Sequence, residues 1–255
     1  PRLTRFRRRT SPGERVARPP LPVMARHLRY PYVRDAYGRE GNVTIRVMVI
    51  DDQAMIRGAL AGLLDLETDI EVVAQAANGV EALDELARLS VEETARRTRP
   101  SVDVAIIDVE MPRMDGITAT EAIRTRFPSV RVLVGTTFGR PGYLQRALAA
   151  GASGFMVKDA PVEDLVDGVR TVAAGGRTID QSLAIDALSA GASPLTARET
   201  DVLREVEGGG TIADIAHALT LSQGTVRNHV SSAMLKMDAR TRAEAASLAR
   251  AAGWL

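Results

Sequence analysis

The sequence predicts an α/β domain with a doubly wound, five-stranded parallel sheet, followed by an all-α domain of four helices. Two observations support this prediction. From Ile45 onwards, apolar runs of strand length alternate with helical patterns, whereas only helical patterns follow Pro194. Strands that alternate with helices form parallel sheets, and right-handed crossovers place the helices on both faces of such a sheet.

Five strands and five helices follow from the apolar periodicity of the first domain. The predicted strands are Val47–Ile50, Ile70–Ala74, Val102–Ile107, Val130–Val134 and Gly154–Val157. The predicted helices are Ala54–Leu64, Val80–Leu89, Thr118–Arg126, Tyr143–Ala150 and Val162–Ala174. Apolar runs without alternation are typical of strands that are buried on both faces.

Capping residues delimit the helices of the second domain. The predicted N-caps are Thr196, Thr211, Ser222 and Thr241, and the helices that they begin end near Gly208, Leu219, Met237 and Ala252. Glu199 and Glu244 complete capping boxes at the first and the last of these helices. The tight turn between the second and third helices predicts a helix-turn-helix.

Stretches without periodicity flank and separate the two domains. We assign residues 1–44 to a disordered basic extension, 45–175 to the first domain, 176–193 to a linker and 194–255 to the second domain. The extension carries 11 Arg against 3 acidic residues. It offers no periodic apolar face to bury, which predicts disorder.

The extension has two interpretations. We favour a native start at Val43, because valine can be encoded by a codon that bacteria also use to initiate translation. The preceding Gly38-Arg-Glu-Gly41 is the kind of peptide that a purine-rich ribosome-binding site would yield if it were translated. The alternative is a genuine basic tail that attracts DNA without sequence preference. In both cases, a chain that begins at Val43 is expected to fold.

Composition excludes several kinds of site. The chain has no cysteine, so disulfides and thiolate metal sites are excluded. No apolar stretch approaches the roughly 18 residues of a membrane span, and the pattern of a secretory signal is missing. We therefore expect a cytoplasmic protein without membrane contact. The net charge of +1 does not by itself indicate nucleic acid, so a DNA-binding interpretation needs local support.

Polar side chains follow four of the predicted strands. They are Asp51 and Asp52 after the first strand, Asp108 at the end of the third, Thr136 after the fourth and Lys158 after the fifth. Because the carboxyl ends of parallel strands meet at one edge, we expect these side chains to converge. Converging carboxylates repel one another unless cations neutralise them, which predicts a hard divalent ion beside Lys158. The chemistry that fits is attack of a carboxylate on a phosphoryl group.

These residues resemble a known family. Asp51-Asp52, Asp108-Val-Glu-Met-Pro-Arg-Met-Asp-Gly116, Thr136 and Gly154-Phe-Met-Val-Lys158 are similar to the motifs of receiver domains in two-component response regulators. Those domains have the flavodoxin- and CheY-like fold. The resemblance therefore implies a signalling protein that receives its phosphoryl group from a sensor histidine kinase.

The same resemblance implies a role for each site residue. Asp108 is the implied phosphoacceptor. The implied Mg²⁺ ligands are Asp52, Asp108 and the backbone carbonyl of Glu110, with Asp51 acting mainly through a bound water. Thr136 is implied to hydrogen-bond a phosphoryl oxygen, and Lys158 is implied to offset the charge on the phosphoryl oxygens. Phe155 is the implied aromatic residue that moves together with Thr136.

The segment from Pro194 to Leu255 resembles LuxR-type helix-turn-helix domains. The matching motifs are Leu195-Thr-Ala-Arg-Glu199, Ile212-Ala-Asp-Ile-Ala216, Leu221-Ser222, Thr225-Val-Arg-Asn-His229, Lys236 and Arg242. Together with the receiver motifs, they make the chain similar to response regulators of the NarL/FixJ type. Thr136-Thr-Phe-Gly-Arg-Pro-Gly-Tyr143 and Gly224-Thr-Val-Arg-Asn228 look especially like regulators of membrane-lipid desaturation.

The third helix of this domain is suited to the major groove of double-stranded DNA. Arg227, Asn228 and Ser231 lie about one turn apart and can share its outward face. Arg can read guanine there and Asn can read adenine, although a merely solvated face is the alternative. The candidate phosphate contacts are Ser222, Thr225, Lys236 and Arg242.

Three functions remain open at this point. We favour a transcription regulator, not an enzyme, that is phosphorylated on Asp108 with Mg²⁺, forms a homodimer through its first and last receiver helices and binds promoter DNA. The second is a DNA-binding protein whose receiver domain no longer uses phosphorylation. The third is a phosphotransfer enzyme with an aspartyl nucleophile, in which Glu110 would be the acid/base two residues later.

Overall fold

The computed structural model describes residues 44–96, 102–137 and 139–255. The predicted basic extension, including a start at Val43, lies outside the described residues except for Thr44. Within the described ranges, no helix combines the length and the apolar character that crossing a membrane requires.

A parallel sheet in the order β2-β1-β3-β4-β5-β6 forms the centre of the first domain. Its strands are β1 (Ile45–Ile50), β2 (Ile70–Ala76), β3 (Val104–Asp108), β4 (Arg131–Thr136), β5 (Gly154–Val157) and β6 (Thr178–Ile179). The helices between them are α1 (Ala54–Leu64), α2 (Gly79–Arg96), α3 (Gly116–Arg126), α4 (Pro141–Ala149) and α5 (Val162–Ala173). The strand order reverses beside β1, and ligand crevices form at the carboxyl ends of strands at such points.

Two apolar cores cover the two faces of this sheet. Along β1, Met48 and Ile50 belong to the core beneath α2, α3 and α4, whereas Val47 and Val49 belong to the core beneath α1 and α5. All four side chains are fully buried. Burial on both faces explains why the strands are apolar throughout, and it confirms the doubly wound architecture.

Within the part of the chain that the structure describes, the sheet has six strands, so the prediction of five is wrong by one. β6 has only two residues, Thr178 and Ile179, which is too short for an apolar run to reveal it. It pairs with β5 through Gly154, where a side chain would press into Leu133 and Thr178. A two-residue strand is therefore fixed by its partner, and its own sequence carries little signal.

A helix follows β6 within the segment predicted as the linker. This helix, α6 (Gln181–Ala190), begins at Asp180, whose carboxylate accepts hydrogen bonds from the amides of Ser182 and Leu183. Leu183 is buried against Gly139, where a Cβ would lie only 2.0 Å from its Cδ2 atom. On α4, the Gln145 amide donates to the carbonyl of Ala187 at 3.3 Å. Residues 178–190 therefore pack on the first domain.

The second domain is helical and has its own apolar core. Its helices are α7 (Ala197–Glu207), α8 (Ile212–Ala218), α9 (Gln223–Lys236) and α10 (Arg242–Ala251). Thr196 and Thr211 form capping boxes at the starts of α7 and α8. Thr220 adopts a left-handed conformation, with φ 55°, in the turn between α8 and α9. This turn lets α9 leave α8 at the angle that buries Ile215 and Val226 in one core.

A buried carboxylate ties α7 to α9. Glu199 is only 3% exposed and accepts hydrogen bonds from Ser232 at 2.6 Å and from the Lys236 ammonium at 2.7 Å. Its other bond comes from the amide of Thr196 at 2.7 Å. Burial alone raises the pKa of Glu199, but these hydrogen bonds outweigh burial and hold the pKa at about 2. The charged carboxylate is therefore part of the folded structure.

This carboxylate predicts an acid-sensitive domain. Because the pKa of Glu199 is depressed from 4.5 to about 2 on folding, its contribution is complete above pH 4.5 and is lost as the pH falls towards 2. We expect Glu199→Gln to lower the free energy of unfolding at pH 7 by about 1–3 kcal/mol and to flatten its slope between pH 5 and pH 3. Urea unfolding, followed by the fluorescence of Trp254, measures both quantities.

Glu205→Gln on the same helix is the matched control, because this side chain is only partly buried. Its effect should stay within about 0.5 kcal/mol. Equal effects of the two substitutions would contradict the structural role of Glu199.

Candidate functional site

Three carboxylates and one ammonium group meet at the carboxyl edge of the sheet. Asp51 and Asp52 follow β1, and Asp108 ends β3; each offers an oxygen within 4.8 Å of the others. The Lys158 ammonium, after β5, lies 2.5 Å from a carboxylate oxygen of Asp51 and 2.9 Å from one of Asp108. The structure thus brings together the four charged residues that the sequence predicted to converge.

The three carboxylates differ in their surroundings. Asp51 and Asp108 are buried, whereas Asp52 is exposed. Burial raises the pKa of the Asp108 carboxyl; Lys158 opposes this effect, and the charge of Asp51 adds to it. Three carboxylates against the one ammonium group of Lys158 leave the cluster with surplus negative charge. Hard oxygen donors with surplus negative charge fit a divalent cation such as Mg²⁺.

The chain after Asp108 turns back tightly onto the end of β3. The amide of Gly116 donates to the carbonyl of Val109 at 2.9 Å, and a Cβ on Gly116 would lie 1.8 Å from the carbonyl oxygen of Asp108. Asp115 caps α3 by accepting hydrogen bonds from the amides of Ile117 and Thr118. The Asp115-Gly116 pair is thus a helix start that positions Asp108.

Two further predicted residues line the same end of the sheet. Thr136 is the last residue of β4 and is buried. Phe155 lies on β5 opposite Val134, and it is fully buried in the core beneath α4. Their places in the fold suit the roles that the family resemblance implies, which stay predictions.

The side chain of Glu110 turns away from this cluster. Its Oε1 atom accepts a hydrogen bond from the Tyr143 hydroxyl at 2.5 Å and another from the Arg140 guanidinium at 2.9 Å. Arg140 and Tyr143 belong to the start of α4, and sequence reasoning gave them no role. The only signal was their place in a motif that resembles lipid-desaturation regulators, which does not reveal a contact across 33 positions.

The predicted DNA-reading residues lie on one exposed face of α9. Arg227, Asn228 and Ser231 are exposed, and Val226 and Val230 on the other side of the helix are buried. Such amphipathic placement leaves the polar face free to enter a groove.

The candidate phosphate contacts lie around this face. Ser222 caps α9 by accepting from the amide of Thr225 at 3.0 Å, and the two hydroxyls are 2.8 Å apart. Arg242, the first residue of α10, is partly exposed. Lys236 forms the ion pair with Glu199 described above, so its charge also stabilises a buried carboxylate of the domain.

Two family descriptions match the two domains. Residues 47–170 match the response regulator receiver domain, and residues 193–249 match the bacterial regulatory proteins of the luxR family.

Characterised and uncharacterised bacterial regulators are similar over nearly their whole length. The uncharacterized transcriptional regulatory protein YvfU of Bacillus subtilis (strain 168) is 41% identical over 211 residues, which cover 83% of this chain and 100% of YvfU. The transcriptional regulatory protein DesR of the same organism is 38% identical over 210 residues, which cover 82% of this chain and 98% of DesR.

A solved structure of the RcsB response regulator of Salmonella typhimurium shares the fold. It superposes with a TM-score of 0.60 at 22% identity and covers 82% of this chain and 98% of RcsB. Taken with the sequence matches, these findings show that the chain belongs to the two-component response regulators that join a receiver domain to a LuxR-type DNA-binding domain and regulate transcription.

Proposed function

We propose that this response regulator accepts a phosphoryl group on Asp108 from a sensor histidine kinase, with Mg²⁺ bound, and then forms a homodimer that binds promoter DNA. The observation that carries this proposal is the convergence of Asp51, Asp52 and Asp108 on Lys158 at the buried edge of the sheet. A structural salt bridge would need only one carboxylate for this lysine.

Each residue has a task in the proposed transfer. A carboxylate oxygen of Asp108 attacks the phosphorus of a phosphohistidine, so that an O–P bond forms while the P–N bond breaks and the imidazole leaves with its electron pair. The Lys158 ammonium offsets charge on the phosphoryl oxygens. The Thr136 hydroxyl, at the neighbouring strand end, donates to one of these oxygens.

Mg²⁺ completes this site. Asp52, Asp108 and the backbone carbonyl of Glu110 would hold the ion, with Asp51 acting mainly through a water molecule. When bound, the ion supplies positive charge to the equatorial phosphoryl oxygens. Three carboxylates within 4.8 Å of one another, with the Lys158 ammonium beside two of them, leave surplus negative charge, which supports this assignment.

The position of Glu110 favours a regulator over a phosphotransfer enzyme. An aspartyl phosphohydrolase needs an acid/base group two residues after its nucleophile, and Glu110 occupies that place in the sequence. Its carboxylate is held by Tyr143 and Arg140, however, and is not part of the cluster around Asp108. A long-lived acyl phosphate, which a signalling protein needs, fits this arrangement better than rapid hydrolysis does.

Exposed apolar side chains support self-association through α1 and α5. Met55 in the first turn of α1 is 85% exposed, Leu66 just after the end of α1 is 78% exposed, and Val162 at the start of α5 is 39% exposed. Burying such side chains is favourable, at about 25 cal/mol per Å² of apolar surface. A second copy of the receiver domain would cover them.

Intact mass measurement tests the phosphoacceptor. After incubation with acetyl phosphate and Mg²⁺, we expect one acid-labile phosphoryl group, on Asp108, whose carboxylate ends β3 beside Lys158 and the proposed ion site. Asp108→Asn, or chelation of Mg²⁺, should abolish it. A phosphate mapped to another residue would contradict the assignment; no phosphate would favour a receiver domain that does not use phosphorylation, and rapid turnover would favour an enzyme.

Analytical ultracentrifugation tests the homodimer. We expect phosphorylation to shift the protein towards a dimer at micromolar concentration and Met55→Asp to weaken this dimer about tenfold or more, because a charge would be buried at the interface. Val91→Asp on α2, where the side chain is 71% exposed, is the matched control and should leave the dimer intact. Identical sedimentation with and without phosphate would refute dimerisation.

Binding to duplexes selected from a random pool tests the reading face. Arg227→Ala should lose about 1–3 kcal/mol on the selected site and relax the base preference there. Arg242→Ala should weaken all sequences alike and lower the slope of affinity against salt by about one. Arg242 is a better probe of a phosphate contact than Lys236, because Lys236 also stabilises the domain through Glu199. Equal losses on selected and random DNA for Arg227→Ala would show that another face reads the bases.

A further inference from the structure

A cleft of about 740 Å³ lies where the receiver domain meets the DNA-binding domain. Its walls come from the loop after β3, the start of α4, α7 and the end of α10. Its volume is within the range of about 300–1,000 Å³ that is typical of small-molecule sites. Neither α9 nor the carboxylate cluster beside Lys158 contributes to the described walls, so the cleft is separate from the proposed reading face and from the proposed phosphorylation site.

Positive charge outweighs negative charge in the walls of this cleft. Its side chains carry five guanidinium groups and three carboxylates. A terminal carboxylate on Leu255, which also lines the cleft, would offset one more charge and leave the balance positive. The guanidinium groups are those of Arg113, Arg140, Arg146, Arg204 and Arg250, and the carboxylates are those of Glu110, Asp115 and Glu207. The cleft therefore attracts anions.

The three carboxylates are already engaged. Glu110 accepts a hydrogen bond from Arg140 at 2.9 Å, and Glu207 accepts one from Nε of Arg250 at 2.8 Å. Asp115 caps α3, as described above. These two ion pairs and the cap account for all three acids, so the positive surplus falls on the remaining arginines.

Two of the remaining guanidinium groups are exposed and only loosely paired. Nη1 of Arg113 lies 3.5 Å from the carboxylate of Glu81, and Nη1 of Arg204 lies 3.6 Å from that of Asp201. Neither acid is among the described residues of the walls. Exposed ion pairs of this length contribute little to stability, so both guanidinium groups are available to a ligand.

The third guanidinium group, that of Arg146, is partly buried. It donates to the carbonyls of Gly253, at 3.3 Å, and of Leu255. Burial lowers the pKa of Arg146, and the positive charge of Arg204 lowers it further, whereas the charge of Asp115 raises it. Arg146 of one domain thus lies near Arg204 of the other, and an anion between the two would relieve their repulsion.

We propose that the cleft binds a small molecule that carries a phosphate group, held by Arg146 of the receiver domain and Arg204 of the DNA-binding domain, with Arg113 as a third ligand. The planar guanidinium group of arginine matches phosphate oxygens with two parallel hydrogen bonds. Binding needs neither Mg²⁺ nor phosphoryl transfer. This site is therefore independent of the proposed phosphorylation of Asp108.

A phosphate fits these walls better than a carboxylate does. A phosphate monoester carries up to two negative charges and three acceptor oxygens, so it can pair with several guanidinium groups at once. A carboxylate offers one charge and two oxygens. Val109, Met111 and Leu255 add apolar surface to the walls, which suits the organic part of a phosphorylated metabolite. The ligand class is thus an organic phosphate.

Titration calorimetry with pyrophosphate tests the site. The experiment uses the full chain without Mg²⁺, so that no phosphoryl transfer takes place. We expect one saturable site, and Arg204→Met should weaken it about tenfold or more, because charge-assisted hydrogen bonds are lost. Asp108→Asn should leave it unchanged.

Arg198→Met is the matched control. Arg198 lies on the same helix as Arg204, pairs with the same Asp201 at the same 3.6 Å and is also exposed, but it is not among the described residues of the cleft. Pyrophosphate should bind this variant as it binds the unsubstituted protein. Arg146→Met is a second variant that should also weaken binding about tenfold or more. Circular dichroism and thermal unfolding check that each variant folds.

Several results would overturn this site. One is the lack of saturable pyrophosphate binding at millimolar concentration. Equal losses in Arg198→Met and Arg204→Met would show attraction by overall charge alone, and equal affinities for chloride, sulfate and pyrophosphate would show an adventitious ion only. If Arg204→Met weakened binding to random duplex DNA while pyrophosphate did not bind, Arg204 would be a contact to the DNA backbone. None of these results affects the proposed phosphorylation, which intact mass measurement decides separately.

Discussion

The charge balance around Lys158 is the constraint on which the rest of the structure depends. One ammonium group faces the two buried carboxylates of Asp51 and Asp108, at 2.5 and 2.9 Å. Removing charges from water is costly unless they are paired, so β1, β3 and β5 must end at the same level of the sheet. The strand order and the apolar cores on both faces of the sheet hold the ends of these three strands at that level. The remaining negative charge then suits the site to a divalent ion and to phosphoryl chemistry.

The edge of the sheet could be predicted because it follows from a general rule. Parallel strands place their carboxyl ends together, so residues that are distant in the sequence meet there without knowledge of any contact. Correct placement of the strand ends was enough to predict the convergence of Asp51, Asp108, Thr136 and Lys158. The same holds for the caps at Thr196 and Thr211, since capping is decided within one turn of helix.

Contacts that depend on docking could not be predicted in this way. β6 is defined by its pairing with β5, and α6 by the fit of Leu183 against Gly139. The sequence makes Lys236 a candidate phosphate contact, and its hydrogen bond to Glu199, 37 positions away, could not be predicted. The hydrogen bonds to the Glu110 carboxylate, from side chains 30 and 33 positions away, could not be predicted for the same reason. In each case the decisive neighbour belongs to another element, and local periodicity carries no information about it.

The docking of α6 changes the reach of the DNA-binding domain. A free linker over residues 176–193 could span about 60 Å when extended, at roughly 3.3–3.6 Å per residue. With α6 packed on α4, only the few residues from Gly191 to Leu195 remain as a tether, which limits the span to about 20 Å. In the proposed homodimer, such a short tether would raise the effective concentration of the second DNA-binding domain beside the first. The arrangement of the two receiver domains would then fix the distance between the half-sites. Inserting base pairs between the half-sites of the operator would therefore weaken binding.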